Sequence, residues 1–197
     1  MSSTMALEKG IAELVEEFIA AGRPSSRQQS ITQRREGYIA SAVLAGETET
    51  RVDIQTIELE GMTLRIVSPL NAPTLLPTII YYYGGCFVSG GFATHDNQLR
   101  QLAYYGQCRV IAVQYRLAPE QTFPAAHDDA QRGAELVRQH AERLGVDKQR
   151  ITLAGDSAGG HLALVTALRL KRAGEWQPAQ LILIYPMLDA TAHFESY

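Results

Sequence analysis

The sequence predicts a mixed α/β fold built on a mostly parallel β-sheet. Four apolar runs rich in Ile, Val and Tyr have the composition of strands that are covered on both faces. These runs span residues 78–83, 110–115, 151–154 and 181–185. Helical periodicity separates them, and alternation of strand and helix is typical of parallel sheets with right-handed crossovers. Two segments, 52–57 and 62–67, alternate with period two around Glu60-Gly61, which predicts an antiparallel hairpin at the N-terminal edge of the sheet.

Helical patterns precede and separate the strands. Residues 5–21 place their apolar side chains on one stripe of an amphipathic helix, which Gly22 and Pro24 end. Two roles stay open for this helix: packing on the core, or forming a lid over a site. The polar stretch 25–36 predicts a mobile or partner-covered connector. Further helices are predicted around residues 99–105, 130–144 and 162–170.

The composition excludes several classes of protein. The 197 residues include 18 Lys and Arg against 21 Asp and Glu, and the resulting charge of −3 gives no global electrostatic basis for binding nucleic acid or an anionic membrane. No apolar run approaches the ~18 residues of a membrane span. The N-terminus lacks the basic start and apolar stretch of a secretory signal. Two cysteines, Cys86 and Cys108, provide neither a disulfide scaffold nor a zinc site, so we expect a cytoplasmic protein.

The strongest motif is a G-x-S-x-G match within residues 155–160, between a predicted strand and a predicted helix. Strand, tight turn and helix are the context in which this motif presents a nucleophilic serine. The turn leaves no room for flanking side chains, which explains Gly155 and Gly159. Ser157 is therefore the candidate nucleophile, and the Ala158 amide is placed to donate to an oxyanion. The alternative is a glycine-rich turn without chemistry.

A second glycine-rich loop follows the run at 78–83. It reads Tyr83-Gly84-Gly85-Cys86 and continues to Gly91. Small residues let backbone amides approach a substrate carbonyl, as the other half of an oxyanion hole requires. A dinucleotide-binding loop needs the order G-x-G-x-x-G, which this segment lacks.

Taken together, these motifs resemble the hormone-sensitive-lipase-like branch of the α/β-hydrolases. The similarity runs from about residue 45 to the C-terminus, with the motifs in the family's order. The segments that carry it are 83–86, 115–120 with 123–126, and 155–160, and Thr94-His95-Asp96 stands where the family usually has such a triplet. The resemblance implies an α/β-hydrolase fold, with residues 1–45 as an N-terminal helical cap segment and residues 46–197 as a partial hydrolase core.

The resemblance also implies an activity and a site. It implies an esterase that acts on short-acyl carboxylic esters through Ser157 and needs neither a metal nor an organic cofactor. Its oxyanion hole is expected to be built from Gly84, Gly85, Cys86 and Ala158. The family usually has His-Gly-Gly-Gly in this loop, so Tyr83 and Cys86 are departures. Tyr83 keeps a hydrogen-bonding group, whereas a side chain at Cys86 costs stability if the backbone there needs a positive φ.

The chain offers no evident acid and histidine to complete a triad. In α/β-hydrolases these follow the serine, and only 197 − 157 = 40 residues follow Ser157. Asp189 and His193 are weak candidates, and the other four histidines are expected to be structural or exposed. His127 with Asp128 and Asp129 superficially resembles a metal site, but acidic residues in the first turn of a helix also favour its dipole.

The resemblance therefore implies the N-terminal two-thirds of an esterase. The missing triad members would come from an absent segment or from a second chain. The sheet edge after 181–185 is then expected to be uncovered, which predicts association with another copy or another chain. Three hypotheses remain: a carboxylesterase, a non-catalytic module that binds small molecules in the same pocket, and a fragment with no function of its own.

Overall fold

A six-stranded sheet forms the centre of the molecule. The computed structural model describes residues 7–22, 24, 28–189 and 191. The strands are β1 (Val52–Leu59), β2 (Met62–Pro69), β3 (Leu76–Tyr82), β4 (Arg109–Val113), β5 (Val146–Asp156) and β6 (Gln180–Ile184). They lie in the order β1-β2-β4-β3-β5-β6. β2 is antiparallel to both β1 and β4, and the other neighbours are parallel, which confirms the predicted sheet with an antiparallel N-terminal edge.

Helices lie before the sheet and in its crossovers. They are α1 (Lys9–Ala20), α2 (Ile31–Ser41), α3 (Phe92–Gly106), α4 (Ala125–Gln139), α5 (Ala141–Leu144) and α6 (Ala158–Arg172), with a 3-10 turn at Ala42–Ala45. The helix predicted over 130–144 is in fact two helices, because the backbone leaves helical geometry at His140. Among the described residues, no helix has both the length and the apolarity that crossing a membrane requires.

Helix α2 corrects the prediction of a mobile or partner-covered connector over residues 25–36. From Ile31 onward the chain is helical, and Ser30 caps the helix. The Ser30 hydroxyl accepts from the Gln33 N–H at 3.2 Å, and the Gln33 side chain accepts from the Ser30 N–H at 2.9 Å. This reciprocal capping box is a recognised start signal. Residues 25–27 of the predicted connector lie outside the described part.

The apolar stripe of α1 is exposed. Ile11, Phe18 and Ile19 are 49%, 59% and 70% exposed, and no described residue of this helix is buried. The alternative in which the stripe packs on the core is therefore wrong for the described residues. The lid role, like the division into a cap and a core at residue 45, stays a prediction.

The central strands position two loops side by side. Ile80, Tyr81 and Tyr82 point alternately to opposite faces of β3 and are all fully buried, so both faces of the sheet are covered. β3 lies between β4 and β5, and Tyr82 pairs with Gly155 at the carboxyl ends of β3 and β5. In open α/β sheets ligands bind outside these ends, where the direction of strand order reverses.

The contact between α4 and β4 leads to a stability prediction. A Cβ on Gly133 would lie 2.7 and 2.8 Å from the two γ-carbons of Val113, and no rotation of a branched side chain clears both positions. We expect Gly133→Ala to lower the free energy of unfolding by about 1–3 kcal/mol in urea denaturation.

Gly37→Ala in α2 is the matched control. Nothing lies within 4 Å of that Cβ position, so this change should be neutral or stabilise by up to ~1 kcal/mol through helix propensity. If Gly133→Ala had the same free energy of unfolding as the parent, the close packing of Gly133 against Val113 would be contradicted.

Candidate active site

Ser157 occupies a sharp turn between β5 and α6. Its backbone has φ 52° and ψ −117°, in a region that non-glycine residues rarely adopt. The turn is fixed from the neighbouring strand: the Ser157 N–H donates to the Ile184 carbonyl at 2.9 Å, and the Ser157 carbonyl accepts from the Met187 N–H at 3.1 Å. The side chain is partly exposed, and α6 begins at the next residue. The helix N-terminus therefore faces the position where negative charge would develop on a substrate.

Close backbone contacts explain the glycines of this turn. A Cβ on Gly159 would overlap the Tyr82 carbonyl, and a Cβ on Gly155 would overlap the backbone of Gly159. Neither glycine has a positive φ. The expected absence of space for side chains is therefore confirmed, and its cause is the approach of α6 to the end of β3.

The loop after β3 has a strained backbone. Gly85 has φ 130°, and both Cys86 and Phe87 lie in the left-handed region with φ 54° and 60°. The Gly85 carbonyl accepts from the N–H groups of Val88 and Ser89 at 3.1 and 2.9 Å, which closes the turn. Cys86 therefore has the positive φ at which a side chain is expected to cost stability. L-residues lose about 1–2 kcal/mol in this conformation.

The backbone amides of the two loops differ in availability. The Gly84 N–H donates to Asp156 at 3.0 Å, so in this arrangement it is occupied and not free for a substrate oxygen. The N–H groups of Gly85, Cys86 and Ala158 make no hydrogen bond to another described residue. These three amides are the remaining candidates for an oxyanion hole.

Asp156 connects the serine turn with the loop after β3, and sequence reasoning missed this role. Its buried carboxylate accepts from the Tyr81 hydroxyl at 2.8 Å as well as from Gly84. His95 Nε2 lies 3.2 and 3.3 Å from the two carboxylate oxygens, and the Tyr185 hydroxyl lies 3.5 Å away. The available signal was an ionisable residue directly after an apolar strand.

Hydrogen bonds keep the Asp156 carboxylate charged. Burial by itself raises the pKa of a carboxyl, but the bonds from His95, Tyr81 and the Gly84 amide outweigh burial, and the pKa of Asp156 lies below its ordinary value. Tyr38 of α2 packs edge-on against His95 at 5.9 Å. Burial and the nearby Asp156 charge raise the pKa of Tyr38 to about 12.

Tyr83 braces the loop with its ring and its backbone. The ring stacks on Tyr115 with centroids 4.5 Å apart, and the Tyr115 hydroxyl donates to the Tyr83 carbonyl at 2.6 Å. Tyr115 belongs to one of the family-like segments, and both rings are buried. The residue that replaces the family's histidine is thus part of an aromatic pair that anchors the start of the loop.

Each histidine in the described residues has a partner other than Ser157. His95 faces Asp156, His127 and His161 face each other, and His140 Nε2 lies 2.9 Å from Glu60. The Ser157 hydroxyl makes no hydrogen bond to a described residue. His193, one candidate base, lies outside the described part of the chain.

The contacts of His161 indicate the direction of the hydrogen bond between His127 and His161. The Met187 carbonyl can only accept, so His161 Nδ1, at 2.9 Å from it, carries a proton. In its neutral form, His161 then accepts at Nε2 from His127 Nε2, 3.1 Å away. His127 Nδ1 is left as a buried acceptor without a described partner. Burial first, and the neighbouring His161 and Arg169 next, lower the pKa of His127.

Asp189, the candidate acid, and the two aspartates of the metal-like pattern have other partners. Asp189 accepts from the Thr191 N–H and hydroxyl, which is the turn-stabilising role of an exposed aspartate. Asp128 pairs with Arg169 at 2.8 Å. Asp129 accepts from the Arg116 side chain and N–H at 2.8 Å. The three residues whose sequence pattern resembled a metal site therefore bind three different partners: His127 contacts His161, Asp128 contacts Arg169 and Asp129 contacts Arg116.

An open cleft lies beside the loop after β3. It has a volume of about 650 Å³ and is lined by residues that include Arg35, Tyr83, Gly91, Arg116 and Glu120. A second cavity of about 520 Å³, around Arg109 and Gly145, lies at the amino ends of β4 and β5, away from the serine turn. The first cavity reaches the two ends of the loop after β3, at Tyr83 and Gly91, and its lining does not include Ser157.

The sequence and the fold of this chain are similar to those of known hydrolases. A family model described as the α/β hydrolase fold matches residues 79–197. The chain belongs to the α/β-hydrolase family. The match confirms the resemblance to its hormone-sensitive-lipase-like branch.

The similar proteins include characterised esterases. Ethyl acetate hydrolase of Pseudomonas putida is 35% identical over 189 residues, which make up 91% of this chain and 59% of that protein. Carboxylesterase NlhH of Mycobacterium tuberculosis is 36% identical over 152 residues, or 76% of this chain and 48% of that protein. The chain thus spans about half to three-fifths of the length of these curated relatives.

Solved hydrolase structures superimpose on nearly the whole chain. The ester hydrolase EH1AB1 from the metagenome of Lake Arreo, in complex with a derivative of bipyridine phosphonate, has a TM-score of 0.85 and 35% identity. The similarity covers 98% of this chain and 64% of that one. A thermostable esterase from Pseudomonas putida ECU1011 has a TM-score of 0.89 and 29% identity, over 100% of this chain and 63% of that one.

Protonation of Asp156 is expected to weaken the fold in acid. A carboxylate whose pKa is held below its unfolded value contributes stability that is complete above the unfolded pKa and is lost as the pH falls through the folded pKa. The free energy of unfolding should therefore decline below about pH 4. Asp156→Asn should show a smaller decline in urea titrations across that range, because an amide does not titrate.

Asp53→Asn, an exposed position on β1, is the control and should keep the parental pH dependence. If Asp156→Asn lost as much stability in acid as the parent does, protonation of the Asp156 carboxylate would not be the cause of that loss.

The strain at Cys86 gives a second prediction. At φ 54° a glycine avoids the steric cost that any side chain meets, whereas alanine retains it. We expect Cys86→Gly to be more stable than Cys86→Ala by about 1 kcal/mol in thermal denaturation. The alanine variant controls for loss of the thiol, and equal stability of the two variants would refute a strained backbone here.

Proposed function

We propose that this protein is a carboxylic-ester hydrolase that forms an acyl-enzyme on Ser157 and acts on short-acyl esters. The observation that carries the proposal is the strained serine turn beside a loop with unoccupied amides. The geometry of Ser157 supports it, as do the N–H groups of Gly85, Cys86 and Ala158, which make no hydrogen bond to another described residue. The activities named for the relatives are consistent with the same chemistry.

The proposed reaction has two steps. Ser157 Oγ attacks the ester carbonyl carbon while a general base takes its proton, and the tetrahedral oxyanion receives hydrogen bonds from the Gly85, Cys86 and Ala158 amides. The alcohol leaves with a proton from that base, and water then attacks the acyl-enzyme by the reverse sequence, releasing the acid. Because each described histidine has another partner, we place the base and its orienting acid outside the described residues, in a further segment or a second chain, with His193 as the weaker candidate for the base.

We also propose a reducing, cytoplasmic location. Cys86 is exposed and Cys108 is buried, and both are free thiols. Burial raises the pKa of the Cys108 thiol to about 11, which keeps it protonated and unreactive. An exposed free thiol at the candidate site is compatible with a compartment in which thiols stay reduced.

Covalent labelling tests the proposed nucleophile. A p-nitrophenyl phosphonate that transfers its phosphoryl centre to the serine oxygen and releases nitrophenolate should modify the protein once, at Ser157, as read by mass spectrometry. Ser157→Ala should abolish labelling. Ser41→Ala, an exposed serine of α2, should leave it unchanged.

Hydrolysis of p-nitrophenyl acetate, measured beside Ser157→Ala, completes the test. Turnover that depends on Ser157 supports the esterase. A folded chain that is neither labelled nor active would contradict an esterase that activates Ser157 within this chain or between its copies, and would favour the catalytically incomplete or the non-catalytic, ligand-binding alternative.

A further inference from the structure

Arg35 joins helix α2 to both loops that border the cleft. Its Nε donates to the Val88 carbonyl at 2.8 Å, and its Nη2 donates to the Ala118 carbonyl at 3.1 Å. Nη1 and Nη2 also bind the two carboxylate oxygens of Glu120, each at 2.7 Å. A planar guanidinium presents its donors in a rigid fork, so four bonds in three directions fix its position.

Of the two carbonyls that Arg35 binds, that of Val88 belongs to the turn that carries the candidate oxyanion amides, and that of Ala118 belongs to the loop after β4. Val88 closes this turn by donating its N–H to Gly85, and the Phe87 carbonyl accepts from the Ala118 N–H at 2.8 Å. Val88 and Ala118 are thus connected twice, once through Phe87 and once through Arg35. The guanidinium closes a ring of hydrogen bonds around the strained residues.

Strain makes this closure necessary. Cys86 and Phe87 are consecutive non-glycine residues in the left-handed region. Such conformations persist only where the surrounding structure over-determines them. The hydrogen bonds to Gly85 hold the turn from within, and Arg35 holds it from outside.

The ion pair between Arg35 and Glu120 contributes less to holding the loop than the bonds from Arg35 to the two carbonyls. The Glu120 side chain is 58% exposed and that of Arg35 is 31% exposed, and exposed pairs of this kind contribute little because water screens them. The bonds to the two carbonyls are charge-assisted and partly buried. Glu120 orients the guanidinium, and the carbonyl contacts hold the loop.

We infer that Arg35 is a positioning residue, which keeps the Gly85 and Cys86 amides aimed at the reacting carbonyl by clamping Val88 and Ala118. The inference rests on the proposed function of this loop as an oxyanion hole. It gives α2 a role, since that helix has no buried residue of its own and reaches the core through side chains such as Arg35 and Tyr38.

Four variants separate the carbonyl contacts from the ion pair. Arg35→Gln removes both, and Arg35→Lys keeps a charge that cannot reach two carbonyls and Glu120 together. Glu120→Gln removes the ion pair alone. Arg34→Gln is the matched control, because the side chain of this neighbouring arginine makes no hydrogen bond to a described residue.

Amide hydrogen exchange reports the loop without any need for catalysis. Mass spectrometry should show exchange in peptides over 85–90 and 116–119 accelerated on the order of tenfold in both Arg35 variants, as expected for loss of a charge-assisted hydrogen bond. Peptides of β1 and β2 are the internal reference. Glu120→Gln and Arg34→Gln should stay within about twofold of the parent. Unchanged exchange in Arg35→Gln, or equal acceleration in Glu120→Gln, would overturn the inference.

Phosphonate labelling of Ser157 connects the loop to the chemistry. Arg35→Gln should lower the maximal labelling rate on the order of tenfold and leave the half-saturating phosphonate concentration within about twofold, because an oxyanion hole acts on the transition state. A raised half-saturating concentration at an unchanged maximal rate would contradict positioning. If the parent is not labelled, Ser157 is not activated in this chain, and hydrogen exchange alone decides whether Arg35 holds the loop.

Discussion

The buried carboxylate of Asp156 is the interaction on which both halves of the site depend. It ends β5 immediately before the serine, and it accepts the Gly84 amide that begins the loop after β3. One side chain therefore sets the distance between the serine turn and the loop after β3. Its approach requires a glycine at position 84, because a Cβ there would overlap the carboxylate. A charge in this environment persists only with several donors, and Tyr81 and His95 supply them.

Backbone strain is concentrated around this interaction. Ser157, Cys86 and Phe87 all adopt positive φ without being glycine, and they lie in the two loops that Asp156 joins. Each such residue costs about 1–3 kcal/mol, so the surrounding structure must hold it. The serine turn is held by hydrogen bonds to Ile184 and Met187, and the loop after β3 by its own turn and by Arg35. Rigid placement of amides and nucleophile before substrate arrives is what electrostatic catalysis requires.

The two ends of the described chain contact the site differently. At the N-terminal end, α2 reaches the core through directed side-chain contacts, whereas the apolar residues of α1 are exposed. At the other end, β6 pairs with β5 and its Leu181 and Ile182 are 39% and 38% exposed. The serine turn depends on β6 directly, because the Ile184 carbonyl accepts a hydrogen bond from the Ser157 N–H.

The sequence by itself determined the α/β class, the strands and the serine turn. Continuous apolar runs predict strands covered on both faces, and the glycines around Ser157 predict a turn without room for side chains. The capping box at Ser30 was also a local signal for α2, although the polar composition of residues 25–36 indicated a connector. Only the tertiary structure decided that β3 lies between β4 and β5, that Asp156 binds His95, and that Arg35 clamps Val88. Those partners are 61 and 53 residues apart. Their meeting depends on crossovers and packing, for which short-range periodicity carries no information.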